Sequence, residues 1–204
     1  MFFRAVGNRC AVCLNKLGLP FPDDELLPRL LDLGFKPIGV DIIELARSCI
    51  GRSLYRRGAR PDAAPDIVDC SSFVKWLYGQ RGIWLPRRSI QQREHGEVIQ
   101  PSEIEKDDLV FTSGRIDYFD KDPTDGVGHV GIATGEGTIV HAANKKVNVV
   151  ETALERFLDG EWRGARRLLR KGAEVLTLEV PEERFVETAD DIRWIVLQSL
   201  PVPA

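Results

Sequence analysis

The sequence predicts an α+β domain, a helical first half followed by an antiparallel meander. Three observations lead there. Apolar residues recur at helical spacing through 42–50 and again from 70 to 78. Four short runs, "DLVFT" (108–112), "HVGIAT" (129–134), "TIVHA" (138–142) and "VNVVE" (147–151), read as strands with tight connections. No internal repeat or low-complexity segment interrupts the pattern, and 204 residues suit one substantial domain with appendages.

Residues 1–38 are expected to form a helical N-terminal extension, punctuated by Pro20, Pro22, Pro28 and Pro37. Within it "DDELLPRLLDLG" has acidic residues in its first turn and Gly34 as its stop. Cys10 and Cys13 have a zinc or redox spacing, but no second ligand pair follows, and on a helix the two thiols would simply share a face. The main domain, 39–170, starts with the amphipathic "DIIELARSCIG", capped by Gly51. "RSLYRRGARPDAAPD" is then a loop, and from Cys70 the spacing 70, 73, 74, 77, 78 marks one face of a second helix ending near Gly79 or Gly82. After the four strands, "ARRLLR" (165–170) is a further strand. The C-terminal extension, 171–204, combines a polar strand-like piece with a helix over "ETADDIRWIVLQSL".

Charge and composition exclude several classes. A net charge of −3 argues against nucleic acid as partner. Arg52, Arg56, Arg57 and Arg60 form a local basic run, read as a solvated surface beside a loop. No stretch reaches the roughly 18 apolar residues of a membrane span. Arg4, Asn8, Arg9, Asn15 and Lys16 break up the N-terminus, which leaves no signal-peptide core. A cytoplasmic protein is therefore expected, with leaderless export as the alternative, and its cysteines are not expected to pair.

The chemistry concentrates on two of three histidines. His129 and His141 sit on the arms of a hairpin joined by Gly135-Glu136-Gly137. If Thr134 faces Thr138, paired residue numbers sum to 272. Gly131 then lies opposite His141, and His129 is its diagonal neighbour on the same face, at roughly 7–8 Å between Cα atoms. A slip of one residue would send His141 to the other face. Gly131 would leave room beside His129 for another backbone or a substrate.

Cys70 heads the second helix, where the dipole and the unpaired N–H groups of the first turn favour thiolate. Asp66 or Asp69 could cap that helix. The sulfur shares the face of Phe73, Val74 and Leu77 and so points inward. If the hairpin face packs there, Cys70 and His129 make a nucleophile–base pair, with His141 holding the second imidazole nitrogen. Asn144 is a less favoured candidate for that third part. Taken singly, Cys70 reads as an inert buried thiol and the histidines as structural. A zinc site from Cys70, His129 and His141 is a further alternative.

These residues resemble the NlpC-type cysteine peptidases, papain-like enzymes that hydrolyse peptide bonds in bacterial cell-wall peptides. The resemblance runs through most of 41–170: the "Y-x-x-G" turn (Tyr55 to Gly58), "DCSSFV" (69–74), "GIWLPRRSIQQREHGEVI" (82–99), "DDLVF" (107–111), "HVGIATGEGTIVHA" (129–142) and "GARRL" (164–168). It implies a papain-like fold in which the cysteine helix packs on an antiparallel sheet. It also implies Cys70 as nucleophile, His129 as general base and acid, and His141 as the residue orienting it. Tyr55, Asp69 and Ser71 would contact the substrate's charged ends, with Arg87 and Ser89 near the cleft. Helix capping and surface solvation compete for Arg87 and Ser89. The implied substrate is a stem peptide, cut between γ-D-glutamyl and a diamino acid, without cofactor or metal. Oligomeric state is not legible.

Two positions and one insert depart from the family pattern. Ala59 follows Gly58 where a second glycine is usual, and Ser72 stands where glycine is common. A polar insert over 115–128, with carboxylates at 117, 120, 122 and 125, should border the cleft; it lacks the downstream glutamate of a calcium loop. Acyl transfer, amide hydrolysis on another substrate, and a non-catalytic binding module are the competing readings. The lipid-acting relatives place histidine before cysteine, the reverse of the order here.

Overall fold

The computed structural model describes residues 3–114, 126–159, 161–169 and 174–201. In chain order the first elements are β1 (Arg9–Cys13), α1 (Asp23–Asp32), β2 (Lys36–Ile38), α2 (Ile42–Ser48), β3 (Leu54–Tyr55) and β4 (Ile67–Val68). The middle of the chain supplies α3 (Cys70–Gln80), α4 (Ser89–Gln92), β5 (Glu97–Ile99), β6 (Leu109–Ser113) and β7 (Val127–Ala133). Then come β8 (Thr138–Asn144), β9 (Asn148–Ala153), α5 (Leu154–Leu158), β10 (Trp162–Arg167), β11 (Val175–Glu179) and α6 (Ala189–Gln198). They fall into two compact units, one of 1–40, 78–84 and 171–204, the other of 41–77 and 85–170.

The first unit joins both ends of the chain. Its antiparallel sheet has the order β1-β11-β2, with Leu178 of the central strand facing Cys10 on one side and Pro37 on the other. Pro37 is tolerated because β2 is an edge strand. Leu26 and Leu30 of α1, Ile192 and Val196 of α6, and Cys10 and Val12 of β1 form its core. The extensions are thus not only helical: Cys10 and Cys13 lie on a strand, where a spacing of three puts them on opposite faces. The partner of that strand is 160 and more residues away, beyond any local window. Gly82 takes φ +71°, and a Cβ there would meet the Cys10 backbone nitrogen at 2.6 Å.

The second unit carries a six-stranded antiparallel sheet, order β5-β10-β6-β7-β8-β9, with a two-stranded parallel pair, β3-β4. Ile132↔Val140 and Ala133↔Ile139 pair in the hairpin, so its residue numbers sum to 272 as expected. Asp41 caps α2 by accepting from the Ile43 and Glu44 N–H groups, and Gly51, at φ +75°, ends that turn. Phe73, Val74 and Leu77 of α3 are fully buried. β3 lies within the segment expected to be loop and β4 directly follows it; two residues each leave too little pattern to read.

Candidate active site

The N-terminus of α3 is held by reciprocal hydrogen bonds. Asp69 Oδ1 accepts from Ser72 N–H at 2.8 Å, and Ser72 Oγ accepts from Asp69 N–H at 2.8 Å. Asp69, not Asp66, is the cap. Ser72 is the other half of the same device, which gives that departure from glycine its physical reason.

This cap aims the Cys70 sulfur at β7. The N–H groups of Val130 and Ser71 act on the thiol to favour its thiolate form, and Val130 directly follows His129. His129 Nε2 meets His141 Nδ1 at 2.7 Å, and His141 Nε2 meets Thr152 Oγ1 at 3.0 Å. One proton arrangement leaves His129 Nδ1 able to take a proton. In it His129 Nε2–H donates to His141, and His141 Nε2–H donates to Thr152. Asn144 is engaged elsewhere, its Oδ1 accepting from the Lys146 N–H. With both His141 nitrogens taken, the zinc alternative loses a ligand; among the described residues no group of His, Cys, Asp or Glu is placed to hold a metal ion.

Phe157 of α5 packs on both imidazoles, at 5.5 Å from the His129 ring and 4.9 Å from the His141 ring. Gly131 serves this stack. A Cβ there would lie 2.3 Å from Ile139 Cγ2, 3.1 Å from His141 Cβ and 3.2 Å from Phe157 Cε2. The space expected for a backbone or a substrate is filled by the protein's own side chains.

Burial sets the protonation of all three groups. It pushes the Cys70 thiol up to about 11, with the Asp69 charge adding to the rise and the Val130 and Ser71 N–H groups opposing it. It holds His129 down at about 4 and His141 at about 3, the latter also through the neighbouring His129. Burial thus favours a neutral thiol and a neutral imidazole, against the ion pair that the helix dipole favours.

All eight residues singled out in the sequence line one cavity of about 1830 Å³: Tyr55, Asp69, Cys70, Ser71, Arg87, Ser89, His129 and His141. Tyr55 is half-buried beside the thiol, and burial followed by the Cys70 and Asp69 charges raises its hydroxyl pKa. Arg87 grips Asp69 through two nitrogens, at 3.0 and 2.5 Å, and also donates to Ser71 Oγ and to the Ala59 carbonyl. Burial acts to raise the Asp69 carboxyl, but Arg87 and Ser72 outweigh it and hold it below the usual range. The insert's carboxylates lie outside the described residues. Ser113 and Gly114, which precede the insert, and Val127 and Gly128 at its end line the cavity.

Thr152, Phe157 and Gln92 were not read from the sequence. Gln92 is fully buried and donates to the Ser71 and Pro86 carbonyls, bracing the cysteine's neighbour. For Thr152 a signal existed: β8 and β9 form a second hairpin in which His141 pairs with Val150, making Thr152 its diagonal neighbour.

A model of the NlpC/P60 family matches residues 53–167. A probable endopeptidase of Corynebacterium glutamicum is 35% identical over 118 residues, which cover 57% of this chain and 49% of that protein. A gamma-D-glutamyl-L-lysine dipeptidyl-peptidase of Bacillus cereus is 32% identical over 104 residues, covering 50% and 29%. The solved structure of an NlpC/P60 family protein from Bacillus cereus superposes with a TM-score of 0.53 at 26% identity, over 64% of this chain and 40% of that one. The chain thus spans about half the length, or less, of these relatives. No described helix is long and apolar enough to cross a membrane.

Proposed function

Because the chain belongs to the NlpC/P60 family, we propose that it is a cysteine peptidase acting on peptidoglycan stem peptides or muropeptides. The bond cut is the amide between γ-D-glutamyl and the following diamino acid. The observation that carries this reading is the relay His129–His141–Thr152, with contacts of 2.7 and 3.0 Å, opening on the cavity that Cys70 lines. The two relatives named above, an endopeptidase and a γ-D-glutamyl-L-lysine peptidase by name, support the substrate class.

In the first half-reaction the Cys70 sulfur attacks the amide carbonyl carbon as its proton passes to His129 Nδ1. Starting from a neutral pair, that transfer accompanies attack and does not precede it. His129 then protonates the leaving amine, the C–N bond breaks, and a thioester remains. Water, deprotonated by His129, attacks the thioester, and the carboxylic acid and the thiol are released. Throughout, His141 keeps the imidazole oriented and accepts from its Nε2–H in the cationic state, the role of the third residue in nucleophilic triads. Asp69, Ser71, Arg87, Tyr55 and Ser89 shape the wall beside the sulfur.

The test is incubation with defined tri- and tetrapeptide stems and with intact sacculi, read by mass spectrometry. Cleavage C-terminal to γ-D-glutamate, abolished by Cys70→Ala, is expected. Stems and sacculi that remain uncut by unmodified protein, a parallel sample of which reacts with iodoacetamide at Cys70, would overturn the reading.

A further inference from the structure

The whole chain is acidic, at −3, yet its cavity is not. The described lining residues include six cations, Arg57, Arg87, Arg88, Lys145, Lys146 and Arg156, against two carboxylates, Asp69 and Glu151. Both carboxylates are already engaged. Asp69 is only 6% exposed, and its two oxygens receive Arg87, Ser71 Oγ and the Ser72 and Gly58 N–H groups, which uses the roughly four lone-pair sites a carboxylate has. Glu151 is paired with Arg47 and accepts from Thr138 Oγ1 at 2.5 Å. Arg88, Lys145, Lys146 and Arg156 are exposed at the rim. The Lys145-Lys146 turn is joined to the wall beside the sulfur, because Tyr55 N–H donates to Asn148 Oδ1 at 2.9 Å.

From this we infer that the site recognises its substrate through carboxylates flanking the scissile amide, and that Lys145, Lys146, Arg88 and Arg156 determine this specificity. Asp69, expected with Tyr55 and Ser71 to contact the substrate's charged ends, has its oxygens occupied, so a further donor would have to displace one already bound. A cleft lined by one sign of charge concentrates ligands of the other sign and raises their association rate. Peptides whose D-glutamate and diamino-acid carboxyls are free acids are therefore bound in preference to the same peptides amidated there. This rests on the stem-peptide reading above for the identity of the peptide.

The test separates binding from cleavage. Full-length Cys70→Ala protein is titrated by calorimetry with a synthetic L-Ala-γ-D-Glu-diamino acid peptide, as free acid and as the diamide at the D-glutamate α-carboxyl and the C-terminal carboxyl. At about 0.05 M salt the free acid should bind about tenfold tighter. The preference should shrink to about twofold near 0.5 M, where the screening length falls to roughly 4–5 Å. Lys145→Gln/Lys146→Gln in the same background, with an unchanged melting temperature, should lose most of the preference. Equal binding of the two forms, tighter binding of the diamide, a preference that survives both salt and the double substitution, or no binding of either form overturns the inference. If the unmutated enzyme cleaves both forms equally, this inference fails while the hydrolase reading stands. If the free acid binds tighter but is never cleaved, the hydrolase reading fails while this one stands.

Discussion

Thr152→Val is the sharpest perturbation of the relay. It keeps the side-chain volume and the β-branched shape suited to β9, and removes only the hydroxyl that meets His141 Nε2 at 3.0 Å. His141 is 8% exposed, so its ring nitrogen is left facing a methyl group with little water to replace the lost partner. An unsatisfied buried polar group costs about 1–3 kcal/mol. His141 must also hold one tautomer to accept from the His129 imidazolium, so the loss falls largely on the transition state. At about 1.4 kcal/mol per factor of ten, kcat/KM should drop roughly 5- to 150-fold, with most of the change in kcat. The assay is steady-state hydrolysis of a defined stem peptide from pH 5 to 10. A merely structural threonine would lower the melting temperature and leave the shape of the pH profile alone. A positioning threonine alters that profile, and Thr152→Ser restores it. Activity within twofold of wild type for Thr152→Val, or failure of Thr152→Ser to recover what Thr152→Val loses, would refute the relay's third step.

Three more outcomes follow from the same geometry. In a Cys13→Ser background, with Cys70 lining the cavity and Cys10 and Cys49 buried away from it, iodoacetamide should modify Cys70, and His129→Ala should slow that reaction at least about tenfold at pH 7; an unchanged rate would separate the thiol from the imidazole. His141 is lowered from 6.5 to about 3, so the unfolded chain takes up its proton first as pH falls. The stability this site contributes is complete above pH 6.5 and declines toward pH 3, by about 2–3 kcal/mol at pH 4.5. Urea melts should show a smaller loss between pH 7 and 4.5 in His141→Gln, and identical losses would contradict its burial as a neutral ring. Gly131→Ala places a methyl 2.3 Å from Ile139 Cγ2, and its overpacking should cost about 1–3 kcal/mol and most of the activity. Ile139→Ala in the same chain should recover part of the activity; no recovery would mean that the clash lies elsewhere.

Local and nearest-neighbour information sufficed for much of the site. The period of 70, 73, 74 and 77 directed the cysteine inward, and the three-residue Gly-Glu-Gly turn set the hairpin register that brings His129 to His141. Both signals are carried by residues close in sequence, whose spacing alone decides which face they occupy. What lay beyond reach depended on contacts between distant segments. The strand containing Cys10 exists because residues 175–179 pair with it. That the Asp69 carboxylate is already bound by Arg87, 18 residues on, is not legible from the sequence. The protonation of Cys70, His129 and His141 was likewise undecidable from residue types, since the helix dipole favours a charged pair and burial favours a neutral one. Burial acts on all three through contacts that only the packed structure supplies.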